Sequence, residues 1–177
     1  MKYTPPVPVE LSSDEQAQFD LLTSEDTSSD WAVQGKAMES LVESLRQRGV
    51  IPEIRLRVFT DAAFAETGSK SPMQVFERNG TTGGEILRHP HFVPYLRYFI
   101  KGPSLPAKVI SGLCQLLNED AGTSGEVMTQ YRRFARESVR TYGLTPKNAA
   151  TEFFRLGVEI GMSVDEARIL RDAALSA

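Results

Sequence analysis

Helix punctuation constrains this chain more than any other feature of its sequence. Thr145 and Pro146 stand in the cap and first-turn positions of one helix, Gly161 stops it, and Ser163 with Glu166 is spaced as the capping box of the next. Ser71 and Pro72 repeat the cap-and-proline pair, Gly49 closes a helix that opens at Ser29 or Asp30, and Ser12 or Ser13 with Glu15 or Gln16 starts one near the N-terminus. Between these marks the apolar residues recur at helical spacing, as in Trp31, Met38, Leu41, Val42 and Leu45. One stretch, IRLRVF at 54–59, also alternates with period two, but no second strand candidate exists to pair with it. The expectation is an all-α fold of about eight or nine short helices in an irregular orthogonal bundle.

Pro5, Pro6 and Pro8 fix extended backbone and remove donors, so the first ten residues read as a Pro-rich arm. With the short helix that follows, it forms an acidic N-terminal region over 1–27. Residues 28–177 then read as one helical domain that ends in a helical hairpin over 145–175. Leu105 to Asn118 is the most apolar helical stretch, carrying Val109, Ile110, Leu113, Cys114, Leu116 and Leu117, and it is expected at the centre of the core.

No apolar run approaches the ~18 residues of a membrane span, and the start MKYTPPVPVE lacks the apolar core of a secretory signal. The expected location is cytoplasmic, without membrane contact. The single cysteine, Cys114, excludes an internal disulfide. The net charge of -3 conceals a division: Met1 to Leu45 holds nine acids against Lys2 and Lys36, whereas Arg46 to Tyr142 holds fourteen bases against nine acids. An acidic beginning and a basic middle point to an acidic partner for the basic part, or to the acidic N-terminus of a second copy in a homodimer.

The segment Arg78 to Lys101 holds both histidines and the paired glycines. Gly80, Gly83 and Gly84 precede the helical piece EILR and suit a nest of backbone donors, but Glu85 competes for those donors and no P-loop is completed. His89 and His91 flank Pro90, which keeps them off a common helical face. Glu85 and His89 supply two zinc ligands at most, with only Cys114 or a distant carboxylate to complete them, so no metal and no cofactor is expected. As an enzyme, the chain would use His89, His91 and Glu85 as its acid-base group, beside Arg88 or Arg97. HExxH, GxSxG, GxGxxG, CxxC and P-loop motifs are all lacking. At the end of the segment, Tyr95, Leu96, Phe99 and Ile100 turn inward, leaving Arg97 and Lys101 on the outer side as candidate partner contacts.

The strongest periodic pattern is Gly125 to Tyr142. Val127, Tyr131, Phe134, Ala135, Ser138 and Tyr142 line one side, and Arg132, Arg133, Arg136 and Arg140 form a ridge on the other. The final hairpin has helix-turn-helix spacing, but Asp165 and Glu166 stand where a recognition helix meets phosphates, so it reads as a packing or partner-binding pair. The reading adopted is a non-catalytic, intracellular interaction or regulatory module acting through the arginine ridge and the 78–101 segment. Its first alternative is a nucleic-acid-binding protein using Arg132 to Arg140; its second is an enzyme built on His89 and His91.

Overall fold

The computed structural model describes residues 2–24, 31–66, 92–119 and 122–177, which contain eight α-helices and no strand. The helices are α1 (Ser13–Thr23), α2 (Trp31–Gln47), α3 (Glu53–Glu66), α4 (Val93–Lys101), α5 (Ala107–Asn118), α6 (Ser124–Thr141), α7 (Pro146–Ile160) and α8 (Val164–Leu175). The chain groups into two compact units, Pro8–Lys101 and Met1–Val7 with Gly102–Ala177. The helices expected after Ser71 and at EILR lie outside the described residues.

In the unit Pro8–Lys101, the apolar face of α2 is buried as its spacing requires, with Met38, Leu41 and Leu45 fully enclosed and α1 packed against it. Phe19 and Leu22 are the apolar residues α1 contributes. The alternating stretch 54–59 is helical, inside α3, where Leu56 and Phe59 are buried together with Ala62 and Ala63. The Phe59 ring meets Phe99 edge-on at 5.7 Å between centroids, and the Tyr95 hydroxyl donates to the Ala62 carbonyl at 3.1 Å. On α4 it is Tyr98, with Tyr95, Leu96 and Ile100, that goes inside, while Phe99 is half-buried.

The start of α1 is closed by the capping box its sequence predicts. The Ser12 side chain accepts from the Glu15 N–H at 3.2 Å, and the Glu15 carboxylate accepts from the Ser12 N–H at 2.9 Å. The same carboxylate accepts from the Ser44 hydroxyl of α2 at 2.8 Å, so one acid both caps α1 and ties it to its neighbour.

In the other unit, α8 packs against both α7 and α6. Small residues allow this. A Cβ placed on Gly157 of α7 would lie 3.1 Å from the Ala167 Cβ of α8 and 3.1 Å from the Met162 sulfur. Gly161 takes the left-handed conformation at φ 109°, and the Met162 N–H reaches the Gly157 carbonyl at 2.8 Å while the Gly161 N–H reaches Val158 at 3.2 Å. These two bonds form a Schellman motif, which ends α7 and aims α8 back along it. Ser163 and Glu166 form the expected box at the start of α8.

The sequence places Leu105 to Asn118 at the centre, but the most enclosed helix of this unit is α7, where Phe153, Phe154, Leu156 and Val158 are fully buried. On α5 only Val109, Leu113 and Cys114 are buried, and Ile110, Leu116 and Leu117 are half-buried. Apolar content measures what burial would gain, not which helix its neighbours surround. A close approach at glycine is common to both helices, since a Cβ on Gly112 of α5 would meet the Phe134 ring at 3.1 Å as one on Gly157 of α7 meets Ala167. It is the extensive packing of α8 along α7 that encloses α7.

Candidate functional site

Helix α6 carries the densest group of exposed like charges in the described residues. It starts one residue earlier than its apolar pattern suggests, because Thr123 and Glu126 make a third capping box. Tyr131, Ala135, Ser138 and Val139 are its buried residues, which fixes its rotation. Tyr142 is exposed, since it is already the C-cap, at φ −99° and ψ 3°, where the helical register ends.

That rotation sends Arg132, Arg133, Arg136 and Arg140 to solvent on the far side. With Thr129 and Glu137 they border a shallow cleft of about 240 Å³. Arg133 donates to Glu137 at 2.8 Å, an i,i+4 pair. Among the described residues this is the ridge's one ion pair, so four guanidiniums face a single carboxylate. Guanidiniums offer planar forks of donors that match carboxylate and phosphate oxygens two at a time. Held along one helical stripe, they suit an extended or helical anionic segment better than a single small ion.

Arg97 and Lys101 belong to the other unit and are used within it. The Arg97 guanidinium, half-buried, donates to the Leu22 carbonyl in the last turn of α1, where the helix dipole favours a cation. The Lys101 ammonium lies 5.5 Å from the centre of the Phe19 ring, also on α1. Glu85, His89 and His91 lie outside the described residues.

A second cleft, of about 490 Å³, lies along α5, where Tyr3 and Pro5 face Ser111, Cys114, Gln115 and Asn118. Burial pushes the Cys114 thiol above its ordinary value, so it stays protonated and apolar. The Asn118 side chain accepts from the Tyr3 N–H at 2.9 Å and donates to the Tyr3 carbonyl at 2.8 Å. Nothing local in the sequence signals this clamp, which joins residues 115 positions apart. No group of three or more histidine, cysteine or acidic side chains among the described residues is placed to hold a metal ion. No described helix is long and apolar enough to cross a membrane. Comparison with protein-family models, with curated proteins and with solved structures finds no match to this chain.

Proposed function

We propose that this protein is a non-catalytic interaction module of the cytoplasm, and that the outer face of α6 docks an acidic segment of a partner protein. The observation that carries the reading is the stripe Arg132, Arg133, Arg136 and Arg140, exposed on one helix with one neutralising carboxylate among the described residues. Single exposed ion pairs are weak, about 0.2–1 kcal/mol each, so a useful affinity needs several at once in register. A helix that repeats its guanidiniums at i, i+4 and i+8, as Arg132, Arg136 and Arg140 do, provides that register. The overall charge is -3, so attraction to an anionic partner is local to the stripe and is not a property of the whole chain.

The test is fluorescence anisotropy of a labelled glutamate-rich peptide and, separately, a mixed-sequence oligonucleotide, titrated with the intact protein. The reading requires that the peptide bind and that Arg132→Glu with Arg136→Glu abolish binding while the circular dichroism spectrum is unchanged. Binding of the oligonucleotide alone would replace it with the nucleic-acid reading.

A further inference from the structure

The cleft along α5 is built from residues that the α6 stripe does not use. Its volume, about 490 Å³, lies within the range of about 300–1,000 Å³ typical of small-molecule sites. One wall is the N-terminal arm, which contributes the rings of Tyr3 and Pro5, and Asn118 fastens that wall through both backbone groups of Tyr3. The other wall is α5, with the buried Cys114 thiol as its apolar part. Ser111 and Gln115 add a hydroxyl and an amide from exposed positions on the same helix.

The charge of this cleft comes from one residue. Glu119 is the only charged side chain in the lining, and it is the C-cap of α5. It stands at the carbonyl end of the helix, where the dipole and the carboxylate add to one negative potential. The last turn of α5 carries no basic residue to offset them. Among the described residues the Glu119 carboxylate has no ion-pair partner. Lys2 lies outside the lining, is exposed, and holds its ammonium 5.3 Å from the centre of the Tyr3 ring. A cleft with rings on one wall and one uncompensated negative end is complementary to a molecule with a flat apolar body and one cationic end.

We propose that the cleft binds an aryl-alkyl amine, a small molecule whose aromatic ring carries a protonated amino group on a short chain. The ring lies between the arm and α5, against Tyr3, Pro5 and Cys114. The ammonium goes to Glu119 and the carbonyl end of α5, and Gln115 and Ser111 accept what remains of its donors. A ring without the cation leaves the negative end unmet, an anion is repelled by it, and a diamine without a ring leaves the apolar walls uncovered. The site shares no residue with the arginine stripe, which repels cations, so each stands or falls by itself.

The experiment follows the amide resonances of the intact, isotope-labelled protein at neutral pH as tryptamine, phenethylamine or 1-naphthylmethylamine is added. Indole-3-propionate and putrescine are the controls, one with the ring and an anion, the other with cations and no ring. The expected result is saturable shifts at Tyr3 and over 111–119 with at least one of the three amines, and a response there at least tenfold weaker with either control. Glu119→Gln should weaken binding of that amine about tenfold. Ser111→Trp, at an exposed position, should abolish it by filling the cleft, with the circular dichroism spectrum unchanged. The proposal is overturned if none of the three amines gives saturable shifts in the cleft, if indole-3-propionate or putrescine binds there as tightly, or if Glu119→Gln binds the amine as the wild type does.

Discussion

Glu15 and Arg48 form an ion pair at 2.9 Å in which the carboxylate side chain is 2% exposed and the guanidinium 43%. Arg48 also donates to the Glu10 carbonyl at 2.9 Å, so it bridges the approach to α1 and the acid that caps it. Burial alone would raise the pKa of Glu15, but the Ser12 N–H, the Ser44 hydroxyl and the Arg48 charge together hold it below the ordinary 4.5. Replacing Glu15 by Ala removes the box and strands Ser44, and should lower stability to urea by about 2 kcal/mol. Glu15→Gln keeps the capping geometry but loses the charge, and should cost about half as much.

The same group sets an acid limit. Its folded pKa is depressed, so its stabilisation is complete above the unfolded value near 4.5 and is lost as pH falls through the folded value. Urea midpoints measured from pH 6 downward should therefore fall more steeply in the wild type than in Glu15→Gln.

The α7 to α8 turn gives two further variants. Gly157→Ala gains helix propensity, but its methyl meets the Ala167 Cβ at 3.1 Å, and that atom cannot retreat without moving α8. The expected net loss is about 1 kcal/mol, read as a lower melting temperature. Gly161→Ala meets no close neighbour, its nearest contact being Tyr3 at 3.8 Å, yet it forces φ 109° on an alanine and should cost about 1–2 kcal/mol.

Tyr131 reports on the packing of the arm and α8 around α6. Burial, then the charge of Glu166, then Tyr3, raise its phenol above the ordinary 10. A raised folded pKa means stability that is present below pH 10 and declines as pH rises through the folded value. Ultraviolet titration of the wild type against Tyr131→Phe should show this phenol ionising late, and Glu166→Gln, which keeps the capping box, should bring it partway back.

Three features show how far the sequence carried. The boxes at Ser12 and Ser163 and the stop at Gly161 were legible because each is a local code of three or four residues. The arginine stripe was legible because α6 is long and its opposite face is apolar, so periodicity alone fixes its rotation. Arg97 was placed outside on the same logic, but a long side chain can turn back from an outer position, and it reaches Leu22 on α1. The Ser44 and Arg48 partners of Glu15, and the Asn118 clamp on Tyr3, depend on tertiary approach and leave no mark in local sequence.

That clamp makes its own prediction. Asn118→Ala removes two hydrogen bonds to one backbone unit and should cost about 1 kcal/mol, with faster amide exchange at Tyr3. Asn118→Asp keeps the acceptor for the Tyr3 N–H but sets a carboxylate against the Tyr3 carbonyl, and should be worse than alanine near neutral pH.

The most direct test of the α6 account is the salt dependence of binding to the glutamate-rich peptide, measured for wild type and for the Arg132→Glu, Arg136→Glu variant. The account predicts that wild-type affinity falls steadily as salt rises and that the variant shows neither the affinity nor the slope. Equal binding by the two proteins, or wild-type binding indifferent to salt, would contradict it.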